Sequence, residues 1–227
     1  MDREQFLQRI ADQLNRPRQT TPPERDVRGI PSFYRENPFG DTAPVDKVAR
    51  FRDELTALGS DVDVVDHIGQ VENVLMQLLA ETNPHTIVTW HKETFAGWEL
   101  DALWEQDIVQ TDPAAPGFME MAKQADIGIT TVQYAIATTG TIVLCTTAKQ
   151  PRSVSLLPAV HIALIRESQI VSRMGEAFER LKASTGRQIP SSVHFITGPS
   201  RSSDIENDLS IGVHGPVAVR AVVVRGV

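Results

Sequence analysis

Two polar loops near the carboxyl terminus carry most of the side chains that could do chemistry. One is Gly198-Pro199-Ser200-Arg201-Ser202-Ser203-Asp204-Ile205-Glu206, and the other is Gly212-Val213-His214-Gly215-Pro216. A Gly-Pro followed by small hydroxyl residues turns the chain and presents backbone N–H groups, a shape able to cradle an anion. Gly198, Ser200 and Arg201 are therefore candidate ligand contacts, with Arg201 able to grip a carboxylate or phosphate through two N–H groups. Asp204 and Glu206 stand two apart and share one side of an extended segment, which makes them candidate acid–base groups. The same spacing also suits metal ligation, a solvated pair, or a turn capped by Asp204. His214 is of a type that can carry a proton, bind a metal or serve as a hydrogen-bonded structural residue.

Two further segments have matching chemistry. Thr139-Gly140-Thr141 is a second glycine–hydroxyl turn able to hold an oxyanion. Arg152 and Ser155 flank the approach to Leu156-Leu157-Pro158, and Arg152 is a candidate anion clamp. The histidines lack zinc-site spacing and the glycines form neither a dinucleotide fingerprint nor a P-loop, so no metal and no cofactor is expected. The one cysteine, Cys145, lies in an apolar run and reads as an inert small hydrophobe. A single cysteine cannot hold an iron–sulfur cluster within one chain.

These loops need a scaffold. Apolar residues recur at helical spacing in Asp2 to Leu14, then Asn15 to Pro44 turns rich in Pro, Arg, Gly and Thr. This composition predicts an N-terminal helix and extended arm over 1–44 and a folded domain over 45–227. Within the domain, helical patterns over Asp46–Leu58, Val71–Ala80 and Phe118–Lys123 alternate with strand patterns over Asp61–Val65, Thr86–Trp90 and Ile127–Thr131. Gly59 stops the first helix. Strands follow over Gly140–Thr146, His161–Arg166 and Val193–Thr197, with a helix over Val171–Ala183 whose Met174, Phe178 and Leu181 face inward. Leu209–Val213 and Val217–Val224 read as a terminal strand pair, the latter apolar enough to be internal. The rhythm predicts an α/β fold with a mixed, mostly parallel sheet flanked by helices.

Formal net charge is −7, which disfavours nucleic acid as a partner. No apolar run reaches the ~20 residues of a membrane span, and the first residues lack a signal-peptide pattern, so the expected location is cytoplasmic.

Three segments, in order, resemble the LUD-domain family of the lactate-utilisation type. They are Ala125–Thr130 leading through Ala135–Ala137 to Thr139–Leu144, Arg152–Pro158 with His161-Ile162, and the paired loops Thr197–Glu206 and Gly212–Pro216. The likeness is dense from about Ala125 onward, thinner over Val45–Pro116, and absent from the first forty or so residues. It implies a NagB/RpiA/CoA-transferase-like fold with one strand-end cleft gathering Thr139–Thr141, Arg152, Gly198–Asp204 and His214. It also implies a non-redox component of L-lactate oxidation to pyruvate, with iron–sulfur proteins as partners and a small carboxylate or phosphate as ligand. The family usually has an acidic residue where this chain has Thr138. Two other readings stay open: a cyclo-ligase- or isomerase-like enzyme taking a phosphate or nucleotide, and a scaffold whose cleft is vestigial.

Overall fold

The structure, a computed structural model, describes residues 2–18, 46–185, 190–203 and 209–227. They fall into two units, one holding residues 2–18 and the other residues 46–227. The expected boundary at residues 44 and 45 lies outside the described residues. In the first unit, helix α1 (Arg3–Gln13) starts at a reciprocal cap: Asp2 accepts from the Gln5 amide, and Gln5 accepts from the Asp2 amide.

The second unit is built on a six-stranded sheet. Its strands are β1 (Asp61–Val65), β2 (Ile87–Thr89), β3 (Val109–Gln110), β4 (Ile127–Thr131), β7 (Val160–Arg166) and β12 (Ala218–Val224), ordered β1-β12-β7-β4-β2-β3. Every pairing in it is parallel. The central strands are mostly β-branched and apolar because helices cover such sheets on both faces. A four-stranded sheet, ordered β8-β5-β6-β9, holds β5 (Tyr134–Ile136), β6 (Thr141–Cys145), β8 (Ile170–Val171) and β9 (Val193–Ile196). The strands β10 (Arg201–Ser203) and β11 (Leu209–Ile211) form a separate antiparallel hairpin.

The expected terminal strand pair is therefore corrected. β11 pairs with β10, whereas β12 inserts between β1 and β7. The reason is burial. Val219 and Ala221 through Val224 are all buried, and such a strand needs ladder partners on both sides, while Ser210 and Ile211 are exposed.

Helix α2 (Lys47–Ala57) begins where Asp46 accepts from the Val48 and Ala49 amides, and it buries Val48, Phe51 and Leu55. The Arg225 guanidinium also binds Asp46 and, with those amides, holds its carboxyl below the usual range. Gly59, at φ +87°, ends the helical segment as expected. Helices α3 (Gly69–Thr82) and α4 (Asp101–Trp104) pack together, with α3 also against β1 and β12. Helix α5 (Phe118–Gln124) packs on β2, and α6 (Ser153–Leu156) on β4 and β7.

Helix α7 (Met174–Thr185) corrects another expectation. Leu181 faces inward, but Met174 and Phe178 are exposed; small Ala177 is the second inward residue. Ala177 and Leu181 are four apart and close a small core with Ile136, Val143, Cys145 and Val171. Burial there pushes the Cys145 thiol up, which keeps it unreactive.

Candidate functional site

The sequence-predicted residues separate into two places, set by the ladder between β6 and β9. These strands run antiparallel, with Ile142 opposite Ile196 and Cys145 opposite Val193. Thr141 and Thr197 thus meet at one end, and Thr146 and Ser192 at the other. Five residues of strand put about 16 Å between the two ends.

At the first end, hydroxyls join the glycine turns. Thr139 Oγ1 lies 2.7 Å from Thr141 Oγ1, which lies 2.9 Å from Thr197 Oγ1. Gly140 has φ +58°, and a Cβ there would come within 2.5 Å of the Leu55 amide nitrogen, so α2 rests directly on this turn. Gly198 touches the same helix end, at Leu58. The Ser200 amide donates to Pro216 O and the Gly212 amide to Ser200 O, each at 2.9 Å, which ties the two signature loops together. His214 is exposed on the second loop. Asp204 and Glu206 lie outside the described residues.

This place is less suited to an anion than its glycines and hydroxyls suggest. The Ser200 N–H is already used. The Arg201 guanidinium donates to the Leu58 carbonyl, next to the last turn of α2. A helix carboxyl end carries partial negative charge, so Arg201 here neutralises the helix rather than standing free for a ligand.

At the second end, the turn before α6 is fixed from two sides. Trp90 Nε1 donates to Pro151 O at 3.1 Å, and Gly128 of β4 passes so close that a Cβ there would sit 1.8 Å from the Val154 carbonyl oxygen. Ser155 is buried and its hydroxyl donates to Arg152 O at 3.1 Å, so its role is to shape the turn. The Arg152 side chain is exposed, with no hydrogen bond or ion pair among the described residues. Beside it, His194 Nε2 lies 2.8 Å from both Thr146 Oγ1 and Ser192 Oγ. Burial, and then the Arg152 charge, lower the pKa of His194 and favour its neutral ring. Arg152 borders a pocket of about 430 Å³ walled by Met119, Leu156 and Leu157, with Thr146 and Ser153 as further polar lining.

The expected single cleft is thus two places. Thr139, Gly140, Thr141, Gly198, Ser200, Arg201 and His214 belong to one, and Arg152 and Ser155 to the other. Sequence reasoning did not select Thr146, Ser153 or Met119. Ser153 lies within the Arg152–Ser155 segment, but Thr146 and Met119 join it only through the pairing of distant elements.

The LUD domain family model matches residues 48–224. The chain belongs to the LUD-domain family. The match includes both ends of the β6–β9 ladder and leaves out α1. Similar proteins match over nearly the whole chain. Lactate utilization protein C of Halalkalibacterium halodurans is 34% identical over 228 residues, covering 98% of this chain and 97% of that protein. The protein of the same name from Shouchella clausii is 33% identical, with coverage of 98% and 97%. Among solved structures, a DUF162 family protein from Deinococcus radiodurans is similar at a TM-score of 0.60 and 25% identity, covering 80% of this chain and 99% of that one. Among the described residues of this LUD-domain chain, no helix is long and apolar enough to cross a membrane.

Proposed function

We propose that this chain is a non-redox component of an L-lactate utilisation system in the cytoplasm. It works beside iron–sulfur proteins that carry the electrons, and it binds a small carboxylate or phosphate anion. The observation that carries the reading is its likeness, over nearly full length, to proteins named lactate utilization protein C. The sequence supports the division of labour, since its one cysteine cannot supply the ligands of a cluster. The anion part rests on Arg152, whose guanidinium is exposed and unpaired among the described residues. In this reading residues 1–44 are an arm separable from the domain over 45–227.

Deleting the gene in its host is expected to abolish growth on L-lactate as sole carbon source while sparing growth on pyruvate. A plasmid-borne copy restores growth. Undiminished growth of the deletion strain on L-lactate overturns the proposal.

A further inference from the structure

The pocket beside Arg152 has a chemistry that lactate alone does not match. Its volume, about 430 Å³, falls in the range of roughly 300–1,000 Å³ usual for small-molecule sites. Met119 and Leu157 stay 52% and 41% exposed, so apolar wall faces solvent at the mouth. Polar groups gather on one side. Arg152 presents a guanidinium without an ion pair among the described residues. Ser153, also lining the pocket, is only 5% exposed, and its hydroxyl has no partner among the described residues. A buried hydroxyl left without a partner is unfavourable, and rotation about the Ser153 Cα–Cβ bond would turn it to a bound acceptor.

From these features we infer that the pocket binds a monocarboxylate with an apolar body larger than the methyl group of lactate: the carboxylate on Arg152 and Ser153, the chain against Met119, Leu156 and Leu157. One planar guanidinium with a hydroxyl beside it matches the two oxygens of a carboxylate. A phosphate dianion would place a second negative charge among these walls with no second cation among the described lining residues. The inference rests on the anion-binding part of the proposed function and adds the class of ligand.

The test is calorimetric titration of the full chain with acetate, propionate, butyrate, hexanoate and octanoate, alongside L-lactate, inorganic phosphate and hexanol. Each added methylene is expected to tighten binding about fourfold until the pocket is filled. Arg152→Ala should weaken the carboxylate series about ten- to a hundredfold while keeping the step per methylene. Ser153→Ala should weaken it about fivefold without lowering the unfolding temperature, because it removes an unpartnered polar atom. A constant affinity along the series, hexanol binding as tightly as hexanoate, or a series unaffected by Arg152→Ala overturns the inference. If lactate or phosphate binds through Arg152 as tightly as octanoate, the anion reading stands and the apolar-chain inference fails. If neither lactate, phosphate nor any carboxylate binds at millimolar concentration, the anion reading fails with it.

Discussion

Gly128→Ala is expected to lower stability by about 3 kcal/mol or more, at the severe end of overpacking. The added Cβ would sit 1.8 Å from the Val154 carbonyl oxygen, which is backbone and cannot rotate away. Either β4 or α6 must shift, and both are central to the domain: β4 lies between β7 and β2, and α6 packs on β4 and β7. For a chain of this size the loss corresponds to roughly 6–12 °C in unfolding temperature. The consequence reaches the pocket, because Arg152 and Ser153 open the turn that Val154 continues. Gly175→Ala is the control. It lies in α7, a Cβ there meets nothing within 4 Å, and its φ is not in the left-handed region. That change should stabilise by no more than about 1 kcal/mol. A Gly128→Ala protein melting within about 2 °C of the wild type would contradict the packing described.

Acid should destabilise the domain through His161. The residue is fully buried in β7, with Nε2 2.9 Å from Thr130 Oγ1 and Nδ1 without a partner among the described residues. Burial disfavours its charged form and lowers the pKa from 6.5 to about 4. The folded pKa lies below the unfolded one, so the unfolded chain binds the extra proton between these values. The neutral ring's contribution is complete above pH 6.5 and is lost as pH falls toward 4. At one pH unit per ~1.4 kcal/mol, the full loss is about 3 kcal/mol. His194, whose pKa is also lowered, acts in the same direction. Urea unfolding between about pH 7.5 and 4.5 reads the slope over most of the interval between the two pKa values. His161→Gln should flatten it, whatever its effect on stability at neutral pH. An unchanged slope in that variant would show that other groups control the acid response.

The sequence and the structure agree where local pattern meets burial. The apolar spacing of α2 and the stop at Gly59 are set by helix geometry, which a sequence displays directly. The internal position of β12 was legible for a similar reason, since only a strand covered on both faces is so uniformly apolar. Its neighbours were not legible. Adjacent strand patterns separated by Gly215-Pro216 suggest a hairpin, yet β12 pairs with β1, far back in the chain, because sheet pairing follows tertiary burial. The inward face of α7 was misplaced for a related reason: Met174 and Phe178 are the larger apolar residues, but the space above the second sheet admits Ala177. Phe178 instead lies against the Phe195 ring.

The site shows the same division. The glycine–hydroxyl turns stood out in the sequence, and the structure joins them around Thr141. What sequence cannot display is which donors are already used. Arg201 is engaged at Leu58 and the Ser200 amide at Pro216, so the more conspicuous arginine is the less available one. The setting of Arg152 forms only once β6 and β9 pair and bring Thr146 and His194 together near it.

The most direct test of the functional account is L-lactate-dependent dye reduction. It is measured on three preparations: this chain alone, the iron–sulfur proteins of the same system without it, and the reconstituted mixture. The account predicts that the mixture reduces the dye, and that the chain alone and the iron–sulfur proteins alone do not. Oxidation of L-lactate by the isolated chain, or full activity of the iron–sulfur proteins without it, would contradict the account.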